Sequence, residues 1–334
     1  MASMRDVAKE AGVSVTTVSR VLAQDQAFSV TDRTRERVFR AAEQLDYSYP
    51  GRRPQPKIML GCVLALTTER YSDPFFNSIL TAAEDACVKH NAFIQATRNY
   101  NDMLDEDVFE EFLELDLSGL ILMEELPQQI LQMLHASIPH IVLIDQENPS
   151  YNVVGFDRFD SSQQIMRALL DRGYSRIAYI GGGSPNSSIH DSILLIVYRE
   201  ALRRCGIDFD ESLVRDCEWN LDLCADMTRE LMNGPNPPDA IIAGSDSLAS
   251  VILGVIYNMG LRCPRDIGVV GFNNLNFSAH LIPPLTTVDV PTRQIGITAV
   301  ERLIDMINGE AGPERRIVFP SRLIMRDSLR KVNS

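Results

Sequence analysis

Val15, Thr16, Thr17, Ser19 and Arg20 are the residues of this chain whose types and spacing best suit chemistry at a nucleic-acid surface. Val18, Val21 and Leu22 fall at i, i+3 and i+4 and must face inward, which leaves those five on the outer side of one helix. Small residues near a helix N-terminus allow close approach to a groove, hydroxyls suit phosphates, and an Arg fork matches guanine O6 and N7.

Three helices are needed to hold that face. Ser3, three residues before Asp6, opens a short helix carrying Val7, Ala8 and Ala11, which Gly12 stops. Ser14 caps the second helix, and Thr31 caps a third whose Val38, Ala41 and Leu45 close a miniature core. A helix–turn–helix with a Gly in the turn is also an ordinary αα-corner, so the motif needs further detail before it means DNA.

Behind this head the grammar changes. Pro50, Gly51, Pro54 and Pro56 forbid a continuous helix over 48–57, and Arg52, Arg53 and Lys57 make that linker basic. From Ile58 onward short apolar runs alternate with amphipathic segments. Strands are expected near 59–66, 92–97, 119–123, 140–144, 176–180, 240–243 and 267–271. Helices are expected near 74–90, 104–115, 161–172, 193–204 and 248–259. That alternation predicts two doubly wound α/β units, hence two lobes with parallel sheets and a cleft at the strand ends.

Polar groups sit where those strand ends meet the cleft: Asp145 ends one strand, Ser245 and Asp246 follow another, and Asn273 follows a third. Carboxylates and amides on rigid strand ends suit the hydroxyls of a sugar, and Trp219, the single tryptophan, suits its C–H face. The plainer alternatives are that Asp145 and Asp246 cap turns or helices, that Trp219 is core, and that Asn273-Asn274 is a turn. The loop Gly181-Gly182-Gly183-Ser184 lacks both a Gly-x-Gly-x-x-Gly spacing and a Walker lysine, so it reads as a turn rather than a phosphate cradle.

The chain has 334 residues and a net charge of −13, unevenly divided. Residues 1–57 hold ten Lys and Arg against seven Asp and Glu, a balance of +3, while the remainder holds 22 against 38, or −16. Only the head is tuned for phosphate, and so modest a charge predicts two heads acting together in a dimer. Cys62, Cys87, Cys205, Cys217, Cys224 and Cys263 include no CxxC pair and fall mostly in apolar runs, so buried reduced thiols are expected, with no metal site and no cofactor. The absence of an apolar run long enough for a bilayer and of a signal peptide predicts a cytoplasmic protein with no membrane partner.

The run from Met4 to Leu22 (MRDVAKEAGVSVTTVSRVL), followed by VTDRTRERV at 30–38 and Leu45-Asp46-Tyr47, closely resembles the head of the LacI/GalR family of transcriptional regulators. The body resembles the sugar-binding core that this family shares with periplasmic binding proteins, and Pro283-Pro284-Leu285-Thr286-Thr287-Val288 matches its hinge signature. The resemblance implies an all-α helix-turn-helix head over 1–47 and a two-lobed α/β effector-binding and dimerisation body over 58–330. Lobe 1 would comprise about 58–155 and 285–316, and lobe 2 about 156–284 and 317–330, with the chain crossing back near Pro284 to Val288. It implies a homodimer, with a tetramer also open, bound to operator DNA and controlled by a small-molecule effector, most simply a carbohydrate. Contacts to DNA would come from Met4, Ser14, Val15, Thr16, Thr17, Ser19, Arg20, Ser29, Thr31, Thr34, Tyr47, Arg52 and Arg53. Contacts to the effector would come from Tyr71, Pro74, Phe75, Asp145, Trp219, Ser245, Asp246 and Asn273.

Several departures from the family pattern bear on the ligand. Ser245-Asp246 stands where many members have Asn-Asp, and Asn273 where many have Asp. Leu194 occupies the position of a customary effector-anchoring Arg, leaving His190 or Asp191 as substitutes. The linker lacks the family's leucine wedge. The branch typified by the evolved-β-galactosidase repressor shares the shortened first lobe and the Ile180-Gly181-Gly182 strand exit, which points to a galactoside or related sugar. A purine or protein corepressor is the alternative within the family. An enzyme on a doubly wound fold would need a nucleophile elbow, an HExxH pair or a Walker motif, and none is present.

Overall fold

The computed structural model describes residues 2–23, 25, 28, 30–45, 47, 58–64, 74–123, 125–183 and 188–331. Ser29, Arg52, Arg53, Tyr71, Ser184 and the linker over 48–57 lie outside the described residues. The chain divides into two units, Met1–Pro56 and Lys57–Ser334.

The head consists of α1 (Met4–Ala11), α2 (Val15–Leu22) and α3 (Asp32–Gln44). Ser3 and Asp6 form the expected capping box, in which the Ser3 amide donates to Asp6 Oδ2 at 2.8 Å. Gly12 takes φ 61°, the left-handed conformation that ends α1 without a Cβ clash. Val7, Val18, Val21, Leu22, Val38, Ala41 and Ala42 fill the head's core, with Leu45 packed half-buried just beyond α3.

The body begins with β1 (Ile58–Val63), α4 (Pro74–Lys89), β2 (Ala92–Arg98), α5 (Tyr100–Leu104), α6 (Glu106–Leu113), β3 (Gly119–Leu122), α7 (Gln128–Ser137), β4 (Ile141–Ile144) and β5 (Asn152–Phe156). It continues through α8 (Arg158–Leu170), β6 (Ile177–Gly181), α9 (Ile193–Arg204), β7 (Val214–Asp216), α10 (Leu221–Asn233), β8 (Ala240–Ala243), α11 (Asp246–Asn258) and β9 (Gly268–Phe272). Last come β10 (Thr286–Asp289), α12 (Thr292–Ile307), β11 (Arg316–Phe319) and β12 (Arg322–Ile324).

Two six-stranded sheets result, with orders β11-β5-β4-β3-β1-β2 and β12-β10-β9-β8-β6-β7. All pairings are parallel except β10 with β12. The central strands β3, β4, β5, β6, β8 and β9 are buried along their whole length, which is why all of them but β5 read as apolar runs.

The helix expected over 104–115 is α6, opened by the Asp105 side chain, which accepts from the Val108 amide; the short α5 before it was not expected. The crossing expected near Pro284 to Val288 lies later. Strand β10 pairs with β9 in the second sheet, and the chain leaves for the first lobe only at Val290-Pro291, where α12 begins to pack on α4. The first lobe therefore recovers α12 and β11, and the chain returns to the second between Phe319 and Arg322. Together with the step from β5 into α8, the sheets are joined by three passages. The first and third passages are laced together by the Asp157 amide, which donates to Phe319 O at 3.0 Å, and by the Gln164 side chain, which bonds both Ser321 O and the Leu323 amide; Arg322 Nε donates to Asp289 Oδ2 at 3.1 Å, beside the second.

Helices α4 and α12 approach closely because Gly296 faces Ile79, Ala82 and Ala83; a Cβ there would run into the Ile79 carbonyl oxygen. Gly296→Val is expected to lower stability by about 1–3 kcal/mol through this overpacking. Urea denaturation followed by circular dichroism would show it as a lower midpoint, and an unchanged midpoint would mean that the two helices separate freely.

Candidate functional site

In the head, Ser14 accepts from the Thr17 amide at 3.1 Å, so α2 starts firmly at Val15. Val15, Thr16, Ser19 and Arg20 are exposed on its outer face, with Thr17 half-buried. The Arg20 guanidinium lies 5.2 Å from the Phe28 ring centroid, which limits the side chain's wandering before any contact is made. Thr31 caps α3 through the Thr34 amide at 3.3 Å, while Met4 and Tyr47 pack half-buried on the head's core. The outer face of α2 thus offers amides and hydroxyls at its N-terminus and one held cation in its last turn.

In the body, the strand ends of both sheets open onto a cavity of about 450 Å³. Of the residues read from the sequence, Phe75, Asp145, Asp191, Trp219, Ser245 and Asn273 line it together. Phe156 ends β5 and Phe272 ends β9, and their rings meet at 5.9 Å, so one aromatic from each sheet forms part of the lining.

Trp219 holds its place by backbone and by fit. Its φ is 61°, its Nε1–H donates to Gly183 O at 3.0 Å, and its ring lies against Gly182, where a Cβ would collide with it, and Gly244, where one would crowd it. The glycine loop is therefore a seat for the indole. Asn273, at φ 103°, directs its backbone amide to Val288 O at 2.9 Å, and its side-chain amide has no hydrogen bond among the described residues. Ser245 caps α11 by accepting from the Leu248 amide at 3.2 Å. Asp191 accepts from the Ser188 amide in a capping box that precedes α9.

Asp145 does more than cap a turn. Its Oδ2 takes both Nε and Nη2 of Arg158, at 2.7 and 2.6 Å. Burial pushes its carboxyl above the usual range, against the opposing pull of that guanidinium. Arg158, which sequence reading missed, lines the cavity and lies 5.9 Å from the Phe156 ring centroid. The usable signal was the apolar run before it: Asn152–Phe156 is a strand, so the cap Asp157 and then Arg158 fall at a strand end. Gln146 and Tyr179 were also missed.

Three of the expected residues lie off the cavity lining. Asp246 is fully buried beneath the cavity, where it accepts from the Leu275 amide at 2.8 Å, from Thr287 Oγ1 at 2.6 Å and from Ser278 Oγ. Its carboxyl, pushed up to about 6 by burial, ties the segment after β9 to β10 and does not line the cavity. His190 turns away: its Nδ1 sits 2.9 Å from Arg199 Nη2. Pro74 is the exposed first residue of α4 and its carbonyl accepts from Ser78. Of the cysteines, Cys62, Cys87, Cys217 and Cys224 are buried and free, whereas Cys205 is exposed, a departure from the expected pattern.

Residues 3–49 match the model of bacterial regulatory proteins of the lacI family, and residues 166–329 match the periplasmic binding protein-like domain. The HTH-type transcriptional repressor MelR of Bacillus subtilis is 30% identical, covering 98% of this chain and 97% of its own. The chain belongs to the LacI family. It is a DNA-binding transcriptional repressor and not an enzyme. Among solved structures, the transcriptional regulator CelR in complex with cellobiose superposes with a TM-score of 0.71 at 28% identity, covering 98% of this chain and 100% of that one. The lac repressor dimer bound to operator and the anti-inducer ONPF gives 0.71 at 25% identity and 98% of both chains. No helix among the described residues is long and apolar enough to cross a membrane.

Gly182→Ala is expected to unseat Trp219, shifting the emission of this single tryptophan and weakening ligand binding at least about tenfold. Fluorescence titration of the full chain checks both effects, and wild-type emission in the variant would refute the seating described above.

Proposed function

We propose that this chain is a homodimeric repressor whose paired heads place α2 in the major groove of a pseudo-palindromic operator, and whose cleft takes a neutral sugar of the galactoside class. The observation that carries the ligand reading is the cavity's own chemistry. An indole face, the amides of Asn273 and Gln146, and the Asp145–Arg158 pair line one space of a size suited to a small molecule. Glu125, Asp145, Glu147 and Asp191 stand there against Arg158 as the one cationic Lys or Arg among the lining residues. Four carboxylates against one guanidinium disfavour a phosphorylated ligand and favour hydroxyls, which donate as well as accept. Arg158 supplies the cleft with the cation that Leu194 does not. The cellobiose held by CelR supports a saccharide, since that structure aligns over nearly all of this chain.

In the head, Arg20 and Thr16 would read base edges while Ser14, Thr31 and Thr34 border the phosphates. Ser29, Arg52, Arg53 and Tyr71 keep the roles that the family resemblance implies for them. Closure of the two sheets on a ligand changes the passages between them, and a ligand shifts operator binding only by its differential affinity for the two states.

Sequence selection with the full-length protein, followed by anisotropy on the selected site, should show Arg20→Ala costing about 1–3 kcal/mol of specific binding while non-specific binding changes far less. Calorimetry against galactosides, sugar phosphates and purines should give heat with a neutral sugar alone. Binding of a purine would replace the sugar reading with the corepressor one, and silence across the panel would point to a protein partner.

A further inference from the structure

A second hollow, about 350 Å³, lies where the chain's last segment runs past the end of α8. Arg172, Arg326, Arg330 and Lys331 converge on it, with Asp327 as the one carboxylate among its lining residues. None of the four cations forms an ion pair with a carboxylate among the described residues. Neutral groups hold them instead. Arg326 donates to Leu285 O at 2.6 Å and to Asn274 Oδ1 at 2.7 Å, and Arg330 lies 4.6 Å from the Tyr174 ring centroid. Arg172 donates through Nη1 to Ala168 O at 2.9 Å, while its Nε–H is buried with no hydrogen-bond partner, alone in this among the side-chain polar atoms of the described residues.

Four positive charges gathered against one negative charge are at odds with a body whose balance is strongly acidic. Guanidinium groups held by carbonyls, an amide and a ring, with no carboxylate bonded to them among the described residues, leave the hollow with a net positive charge that favours an oxyanion. Oxyanions with several acceptor oxygens fit such a set, because each oxygen can take more than one N–H.

We propose that this hollow binds a phosphate group, free or carried on a small ester, as a second ligand site separate from the cleft. Its electrostatics are the reverse of the cleft's, so the two sites sort their ligands by charge. The site stands whether or not the sugar reading of the cleft is right.

The test is calorimetry on the full chain in a chloride buffer of fixed ionic strength, with inorganic phosphate and methyl phosphate as probes. Because phosphate also stabilises folded proteins by exclusion from their surfaces, the comparison of variants decides the matter. Saturable binding of either probe, weakened at least about tenfold in Arg330→Gln and in Arg172→Leu, is the expected result. Whichever probe binds more tightly identifies free phosphate or an ester as the preferred form. If Arg172→Leu fails to fold, Arg330→Gln carries the test alone. Absence of saturable heat, or an affinity unchanged in Arg330→Gln, overturns the proposal.

Discussion

The constraint on which the body depends is that its chain passes between the two sheets three times and that these passages are bonded to one another. Asp157 to Phe319, and Gln164 to both Ser321 and Leu323, tie the first connection to the third, and Arg322 to Asp289 at 3.1 Å ties the third to the strand end from which the second departs. Two sheets joined by a single strand would wander; joined by three laced strands they have few ways to open and close. Arg158 follows directly after the first passage and reaches Asp145 at the end of β4. A ligand that engages this pair therefore acts where the lobes meet.

That arrangement also explains why polar residues at strand ends divide into two kinds. Ser245 and Asn273 line the cavity, while Asp246, one residue after Ser245, lies beneath it and fastens β10 to the segment after β9. A carboxylate with three donors around it is structural, whatever its position in the sequence suggests. The indole of Trp219 shows the converse: a lone tryptophan that could have been core is held at the cavity by three glycines.

Much of this was legible in the sequence because buried parallel strands read as apolar runs and because the head's caps are written in Ser, Asp, Gly and Thr at fixed spacing. Strand β5 escaped notice, since it is short and opens on the polar Asn152, and with it went Arg158. The crossing was read too early because Pro283-Pro284 looks like a boundary, yet the strand that follows pairs with β9 and the true turn is at Pro291. The short α5 before α6 was missed; its start depends on a capping box between Asn99 and Asp102. The basic hollow had no local signature, because Arg172 and Arg330 are brought together only by the fold.

If cleft and head share one equilibrium, their couplings must be reciprocal. Operator affinity is measured with and without the cleft's ligand, and ligand affinity, read by Trp219 emission, with and without operator. The same factor is expected in both, at least about fivefold. A ligand that moves the tryptophan signal yet leaves operator affinity unchanged would contradict it.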